Sequence, residues 1–425
     1  FFFFTLVVLA VAILYRVYAP HFVNRQFNNE NHPYYVESDF FEKEDFKQLT
    51  ELARKTEFQL TKDAENMLED PYASSDVLPN GECPYLEQHL NKNKTKCIIA
   101  ARVDVAKHLF TTGGHGGKKE YTDTIISRAM VFQKFFLSKY GETQIPEVEK
   151  IFNSQNYKEK ALKICENRPL LDNIQLSILI NLPGQEVSQH YDVAWFMGAD
   201  KYNFPPWLLV LMEQSKLFND IRIPQIQGVS YVHEWTDYEE AKGGFYFFPN
   251  GVGGKSILVP AKPNNALILD GSRVAHTTQT FRKGPVKDLF KVDKLKRYHM
   301  SYISDKRWKI MDESKEKVLR ELDEKNLRFS LVWRQRCFRN EEEKKKYDEV
   351  PRLKIQDVID KLVDNLIKTE AIKTKPDSEY ETLQVLIKHY NKYAYPDTLF
   401  PYNYCLLFEK FFPNWFKSLS DLVCE

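Results

Sequence analysis

Between residues 174 and 302 the chain consists of short apolar runs separated by Gly, Pro and Asn, and this pattern limits its fold more than any other feature. The runs are IQLSILINL, IQGVSYVHEW, GGFYFFP, SILVPA, NALILDG and RYHMSYI. Each run has the length and composition of a strand, and closely spaced turn residues separate it from the next. The pattern is typical of an antiparallel sandwich or barrel, interrupted by a partly helical insertion at 195–220.

Three polar side chains stand out within these runs. His190 and Asp192 are two positions apart, so on an extended strand both side chains point to the same face. A distant histidine, His276, follows the run NALILDG after a short turn. Two imidazoles and one carboxylate on one face form the triad that binds non-haem Fe(II) and leaves positions open for other ligands. We therefore predict that His190, Asp192 and His276 are metal ligands and catalytic residues.

The residues around these three positions show a family resemblance. A glycine, Gly184, lies six residues before the first histidine, and GGFYFFP occupies 243–249. A strand-like run from Pro263 ends in Asp270, shortly before His276. With these motifs the chain resembles the Fe(II)/2-oxoglutarate-dependent dioxygenases, and in particular their prolyl 4-hydroxylase-like branch.

The resemblance covers residues 171–305 and implies a double-stranded β-helix, a jelly-roll-like fold whose two sheets enclose a metal. It also implies hydroxylation of a C–H bond with Fe(II), 2-oxoglutarate and dioxygen, with L-ascorbate as a candidate accessory reductant. The expected fold class is α+β, with helical regions on both sides of the catalytic core.

A basic residue on a strand after the second histidine should bind the distal carboxylate of 2-oxoglutarate. The family position about ten residues after that histidine holds Val286, so we assign the role to Arg297, which opens the run RYHMSYI. A guanidinium can hold a carboxylate through two parallel hydrogen bonds. Lys287 and Arg282 remain alternatives. Where the family often has a tyrosine that touches 2-oxoglutarate, this chain has Asn181, which we also place at the co-substrate.

The first residues, FFFFTLVVLAVAILY before Arg16, are apolar and uncharged. We predict a transmembrane signal anchor at 1–18; a cleaved signal peptide and a buried helix of a soluble domain are the alternatives. Since the chain starts without Met, we expect the run to extend upstream. An anchor predicts a single-pass protein of the endoplasmic reticulum or Golgi with a luminal catalytic domain, although the flanking charges leave its orientation open.

Two further features fit an oxidising lumen. Asn93 begins an Asn-Lys-Thr glycosylation sequon, which predicts a glycoprotein. Cys83 and Cys97 flank the same polar segment and could form a local disulfide; free buried thiols are the alternative.

The 425 residues suggest more than one structural unit. We expect a linker at 19–40, a helical and loop-rich region at 41–170, and a helical region at 306–425. Within these, helices are expected at 121–140 and 143–165 from the spacing of apolar residues. A net charge of +1 provides no bulk field for binding nucleic acid.

The sequence thus predicts a membrane-anchored dioxygenase that hydroxylates a protein side chain or another molecule of the secretory pathway. One alternative is a catalytically inactive β-helix that serves as a binding or scaffold protein of the membrane. Another is a cupin-type metal enzyme that does not use 2-oxoglutarate. The presence of all three ligands and of a basic candidate favours the dioxygenase.

Overall fold

The computed structural model describes residues 31–392, with gaps at 61–70, 77–78, 80, 82–87, 91–94, 101, 113–121, 139–140, 143, 253, 285, 294–295 and 315. The strands are β1 (Tyr34–Glu37), β2 (Phe58–Leu60), β3 (Pro71–Asp76), β4 (Gln88–Leu90), β5 (Lys96–Ala100), β6 (Phe132–Ser138), β7 (Gly141–Glu142), β8 (Leu170–Asn181), β9 (Trp195–Phe196), β10 (Arg222–Ile223), β11 (Gln225–Tyr231), β12 (Phe245–Phe247), β13 (Ile257–Val259), β14 (Ala266–Leu269), β15 (His276–Thr278), β16 (Tyr298–Tyr302), β17 (Arg307–Asp312), β18 (Val318–Asp323) and β19 (Arg328–Phe338).

The helices are α1 (Lys43–Arg54), α2 (Val103–Thr112), α3 (Thr122–Ala129), α4 (Pro146–Asn153), α5 (Gln155–Ile164), α6 (Pro206–Ser215), α7 (Tyr238–Ala241), α8 (Glu341–Glu349), α9 (Ile355–Lys368) and α10 (Glu379–Tyr390).

Two antiparallel sheets form the core. The larger has the order β1-β14-β11-β19-β8-β6-β2-β16-β17-β18, and the smaller has the order β13-β12-β15. Val229 and Val332 of the larger sheet share one buried apolar cluster with Phe245 and Val259 of the smaller sheet, so the two sheets face each other. This sheet-rich core with flanking helices is compatible with the predicted jelly-roll oxygenase fold.

The central strands β8 and β19 each have two different faces. Ile178 on β8 and Trp333 on β19 belong to the main apolar core, which they share with Leu49 of α1 and Tyr157 of α5. Residues at alternate positions, such as Leu179 on β8, line a cavity between the sheets instead. The alternation follows from the two-residue period of a strand, and it leaves one face of each strand available for a site.

The region 306–425, predicted to be helical, begins with strands. β17, β18 and β19 occupy 307–338, and the helices α8, α9 and α10 follow only from Glu341. The error has a physical cause, because apolar residues interspersed with charges over 317–336 fit a helical period and a strand period about equally well. β19 pairs with both β8 and β11, so the antiparallel core extends well beyond residue 305.

Two N-terminal predictions also need correction. The predicted linker 19–40 contains β1, which pairs with β14 from Tyr34 to Glu37, because Tyr-Tyr-Val favours extended backbone. The predicted helix over 121–140 is α3 followed by strand β6, which pairs with β8. The helices α4 and α5 agree with the prediction for 143–165, and α1 with the amphipathic pattern after residue 41.

The predicted anchor at 1–18 lies outside the described residues. Within the part of the chain that is described, the structure contains no helix both long and apolar enough to cross a membrane. Cys83 and Asn93 also lie outside the described residues. Inside them, Cys165 after α5 and Cys337 at the end of β19 form a disulfide, which joins a flanking helix to the core sheet.

The insertion at 195–220 contains β9 and the helix α6, and is therefore helical in part, as its sequence predicts. α6 is buried along most of its length. Its buried residues, among them Trp207 and Leu211, pack with Leu362 of α9 and Leu386 of α10 in a second apolar cluster. The C-terminal helices therefore support the segment that follows the predicted metal ligands.

Candidate active site

The structure brings the three predicted metal ligands together. His190 and His276 form an isolated antiparallel bridge: each backbone N–H donates to the carbonyl of the other, at 2.9 and 3.0 Å. Their ring centroids are 4.2 Å apart. With Asp192 they present one ligand atom each, and these atoms all lie within 4.8 Å of one another. The bridge attaches the His-x-Asp segment to the edge of the smaller sheet and so fixes the spacing of the triad.

The hydrogen bonds of both imidazoles direct the same ring nitrogen towards the centre of the triad. Nδ1 of His190 donates to the carbonyl of Ser188 at 2.8 Å, and Nδ1 of His276 donates to the carbonyl of Val274 at 2.8 Å. This leaves each Nε2 as an unprotonated donor for a metal, the arrangement that orients histidine ligands in metalloproteins. Burial, helped by the neighbouring His276, lowers the pKa of His190 to about 3, so its imidazole is neutral at physiological pH.

Asp192 is held by a two-pronged ion pair. Nε of Arg334 donates to Oδ2 at 3.0 Å, and Nη2 donates to Oδ1 at 2.5 Å. Burial by itself would raise the pKa of Asp192, but the charge of the Arg334 guanidinium and its hydrogen bonds keep that pKa well below its usual range. Asp192 is therefore an ionised carboxylate in a buried position, as a metal ligand must be.

A second buried ion pair fixes the backbone between the ligands. Arg102 pairs with Asp104, with Nη2 donating to Oδ2 at 2.6 Å, and also donates to the carbonyl of Tyr191 at 2.6 Å. The N–H of Tyr191 donates to Asp104 at 2.9 Å. The Arg102–Asp104 pair thus binds both backbone polar groups of Tyr191, which lies between the two candidate ligands. Asp104 lies in α2, and Arg102 immediately precedes that helix. The sequence contained no spacing signal for this contact.

Gly271 allows the chain to approach Asp192 closely. Its carbonyl accepts a hydrogen bond from the Asp192 N–H at 2.8 Å. A Cβ at this position would overlap the carboxylate of Asp192 and the side-chain amide of Gln227. Only glycine fits here without displacing a ligand.

Gly271→Ala should therefore lower the affinity for divalent metal by roughly tenfold or more, because mutations that misplace a ligand typically cost 10–100-fold. Calorimetric titration with Mn²⁺ measures this. Gly284→Ala is the matched control, since a Cβ there meets nothing closer than the carbonyl of Arg282 at 3.9 Å. Equal Mn²⁺ affinity in the two variants would show that the close approach at Gly271 does not position Asp192.

The other end of the cavity contains an arginine that was not predicted to be a site residue. Arg328 on β19 is 4% exposed, and it donates to Oδ1 of Asn181 at 2.8 Å and to the carbonyl of Gly243 at 2.5 Å. Among the described residues, no Asp or Glu forms a salt bridge with it. A buried guanidinium without a carboxylate partner is costly, so this position calls for an anionic ligand.

Several polar atoms around Arg328 are buried and have no hydrogen-bond partner within the described part of the chain. They are Nε of Arg328 itself, Nδ2 of Asn181, the hydroxyl of Tyr231 and Oγ of Ser330. Buried polar groups are almost always satisfied, so a group of unsatisfied ones calls for bound water, an ion or a ligand as partner. Together with the guanidinium they offer a carboxylate several donors at once.

The structure does not place Arg297 at this site. The Arg297 side chain is 72% exposed on the surface and lies 3.8 Å from Glu313. Lys287 is also exposed, and Arg282 pairs with Asp237 at 2.7 Å. None of the three lines the cavity. The assignment to Arg297 is corrected because the strand it precedes, β16, lies at the far end of the larger sheet, beyond β6 and β2.

Asn181, by contrast, lies beside this arginine and accepts a hydrogen bond from the Arg328 guanidinium. Tyr231 on β11 is also close to this arginine, and its ring lies 5.9 Å from the Arg328 guanidinium. A sequence signal for Arg328 did exist. Alternate residues of β19, from Arg328 through Ser330 to Arg334, face the cavity, but the prediction of a helix there obscured it.

The triad and the Arg328 cluster lie in one cavity of about 350 Å³. Asp192 is the only carboxylate among its described lining residues, whereas the cationic side chains that line it are Arg102, Lys201, Arg328 and Arg334. The cavity is large enough for a small dicarboxylate.

The residues fit a divalent metal and an anionic ligand. Nε2 of His276 and Oε1 of Gln227, which lies beside Asp192, are buried without a partner in the described part of the chain. Two imidazole nitrogens and one carboxylate are the donor set of a non-haem Fe(II) site. His233 and His299 do not take part: His233 donates to the carbonyl of Ala261, and His299 lies 3.2 Å from Glu57.

Comparison with known proteins finds only distant likenesses. No family model matches it, and no curated protein does. Among solved structures the chain resembles 2-oxoglutarate and Fe(II) oxygenases, including prolyl 4-hydroxylases.

A prolyl-4-hydroxylase from Pseudomonas putida is 10% identical, over 72% of this chain and 94% of that chain, with a TM-score of 0.30. EctD from S. alaskensis, solved with bound Fe, is 10% identical over 72% of this chain and 73% of that chain, with a TM-score of 0.31. A viral collagen prolyl hydroxylase from Paramecium Bursaria Chlorella virus-1, in its 2-oxoglutarate complex, is 11% identical over 48% and 78%, with a TM-score of 0.25. At these values the likenesses carry no functional argument, and function has to be inferred from the chain's own residues.

Proposed function

We propose that this protein is an Fe(II)- and 2-oxoglutarate-dependent dioxygenase that hydroxylates a C–H bond of its substrate. The observation that carries the proposal is that the His190–Asp192–His276 triad shares one cavity with Arg328. This arginine is buried and forms no salt bridge with a described Asp or Glu. A metal triad alone would suit many enzymes. The second anchor, a guanidinium surrounded by unsatisfied donors, favours a co-substrate that carries a carboxylate at each end.

In this proposal His190, Asp192 and His276 hold the iron, and Arg328 holds the distal carboxylate of 2-oxoglutarate with help from Tyr231 and Ser330. Asn181 accepts a hydrogen bond from the Arg328 guanidinium and fixes its orientation. Bound iron with 2-oxoglutarate and dioxygen supplies an oxidant that replaces a substrate C–H hydrogen by hydroxyl, while 2-oxoglutarate becomes succinate and CO₂.

The surrounding residues keep water away from the reacting groups. Val229 and Val332 on the larger sheet and Phe245 on the smaller sheet line the cavity with apolar surface. The Phe245 ring stacks on His276 at a centroid distance of 5.2 Å and helps to hold that imidazole in place. A dry cavity strengthens every charge interaction within it and limits side reactions of the oxidant.

The finer parts of the proposal concern compartment and substrate. We propose an anchor at 1–18, a luminal catalytic domain in the endoplasmic reticulum or Golgi, and a protein side chain or other secretory-pathway molecule as substrate. The Cys165–Cys337 disulfide supports an oxidising compartment. Protease treatment of sealed microsomes tests this, and digestion of the catalytic region without detergent would refute the luminal orientation.

The activity itself is tested by succinate release. The purified full chain is supplied with Fe(II), 2-oxoglutarate, ascorbate and dioxygen, with and without pools of candidate peptides. We expect succinate to form with stoichiometric loss of 2-oxoglutarate, to increase with a peptide that is a substrate, and to disappear in His276→Ala. Metal binding without any 2-oxoglutarate binding would instead support a cupin-type enzyme, and the absence of both would support a binding protein.

A further inference from the structure

Arg334 engages the whole carboxylate of the candidate metal ligand Asp192. Its guanidinium occupies both oxygens of that carboxylate, and its third nitrogen, Nη1, donates to Oε1 of Gln175 at 2.7 Å. The guanidinium is thus held by Asp192 on one side and by Gln175 on the other. Because both carboxylate oxygens are engaged, a cation bound by Asp192 has to share an oxygen with Arg334.

As a result, the formal charges of the side chains around the triad sum to a less negative value than the three candidate ligands alone would give. Asp192 contributes one negative charge and Arg334 one positive charge, and metal-binding imidazoles are neutral. The nearby Arg102 is already balanced by Asp104 at 2.6 Å. The side chains facing a divalent cation therefore sum to about zero, where two histidines and an unpaired carboxylate would sum to −1.

Arg334 also faces the part of the cavity beside the candidate metal site, where a co-substrate would bind. It is on the same face of β19 as Arg328 and Ser330, and all three line the cavity. Its partner Gln175 lies within hydrogen-bond distance of Ser177, which in turn accepts from Gln133 at 3.0 Å. This chain of side chains across β19, β8 and β6 holds the guanidinium at the triad.

We propose that Arg334 weakens metal binding in the absence of an anionic co-substrate and in this way strengthens the coupling between the two ligands. The inference rests on the proposed function and adds a specific property to it. The guanidinium reduces the negative charge that Asp192 offers to a divalent cation, and it adds positive charge where a metal-bound carboxylate lies. A dianion such as 2-oxoglutarate relieves the resulting excess of positive charge.

Mn²⁺ titration by calorimetry, with and without saturating 2-oxoglutarate, tests the coupling without any need for turnover. In the wild-type protein 2-oxoglutarate should raise Mn²⁺ affinity by roughly tenfold or more, within the usual range for coupled sites. By linkage, Mn²⁺ should raise 2-oxoglutarate affinity by the same factor. Equal Mn²⁺ affinity with and without 2-oxoglutarate in the wild-type protein would overturn the inference.

Arg334→Gln should raise Mn²⁺ affinity in the absence of 2-oxoglutarate by roughly tenfold and reduce the coupling several-fold. Arg334→Lys keeps the charge but loses the fork, so its coupling should stay near the wild-type value. Arg307→Gln, which removes an exposed arginine paired with Glu321 at 3.3 Å, is the control and should change neither quantity. Thermal melts of all the variants confirm that they are folded.

The other outcomes separate the inference from the proposed function. Weaker Mn²⁺ binding in Arg334→Gln without 2-oxoglutarate would show that Arg334 only orients Asp192, and would overturn the inference while leaving the dioxygenase proposal intact. A wild-type protein that binds neither Mn²⁺ nor 2-oxoglutarate would overturn the proposed function and the inference together.

Discussion

Replacement of His276 by Ala should abolish tight divalent-metal binding, with a loss of affinity of more than roughly 100-fold. That is more than the 10–100-fold typical of residues that merely orient a ligand. The reason is that His276 is expected to contribute one of three donor atoms, and its Nε2 is buried without another partner among the described residues. Asp192→Ala should have a comparable effect, since it also leaves Arg334 unopposed next to the metal. Mn²⁺ titration measures both, and succinate release should be lost with them.

The fold should survive His276→Ala, because the backbone bridge between residues 190 and 276 does not depend on the imidazole. His299→Gln is a suitable control: this buried histidine lies on β16 beside Glu57 and does not line the cavity. It should retain wild-type Mn²⁺ affinity. If His276→Ala bound Mn²⁺ as tightly as His299→Gln, His276 would not be a ligand.

Arg328→Ala should weaken 2-oxoglutarate binding by at least about two orders of magnitude. Removing one partner of a buried charge pair typically costs about 3–5 kcal/mol, and about 1.4 kcal/mol corresponds to each tenfold. Mn²⁺ binding in the absence of 2-oxoglutarate should persist, because Arg328 is not a metal ligand. Arg328→Lys should be intermediate, since it keeps the charge but loses the fork.

The matched control for this experiment is Arg297→Ala, which removes an arginine of the same chain that is 72% exposed. Titration of 2-oxoglutarate in the presence of Mn²⁺ should show no change for Arg297→Ala. If the control lost affinity and Arg328→Ala did not, the distal carboxylate would bind where the sequence first suggested, and the cluster around Arg328 would have another role.

The candidate metal triad could be predicted from the sequence because the signal for each of its parts is local. Two residues two positions apart on a strand share a face, and the run before His276 identifies a second strand. The arginine could not be found in this way, because it depends on which strand returns to the centre of the sheet. Three strands, β16 to β18, intervene between β15 and β19, so distance along the chain from His276 indicates nothing about proximity in space.

The contacts that hold Asp192 could not be predicted from the sequence for a related reason. Arg334 lies 142 residues from Asp192, and Asp104 lies 87 residues from the Tyr191 N–H that it binds. Such pairs leave no periodic signature in a single sequence. The β19 residues do alternate between cavity and core, yet charged and apolar residues in a segment of this length fit a helix as well. Tertiary pairing with β8 and β11 decided between the two.

The position of β19 in the chain has a consequence for biosynthesis. This strand inserts between β11 and β8, and it carries both Arg328 and Arg334, but it is translated more than a hundred residues after β8. At about 5–20 residues per second, the ribosome needs on the order of ten seconds to deliver it. During that interval β8 and β11 present open edges to other chains, and such edges are prone to aggregation. The nascent protein should therefore depend on chaperones until β19 emerges, and a chain that terminates before residue 328 should fail to form either half of the site.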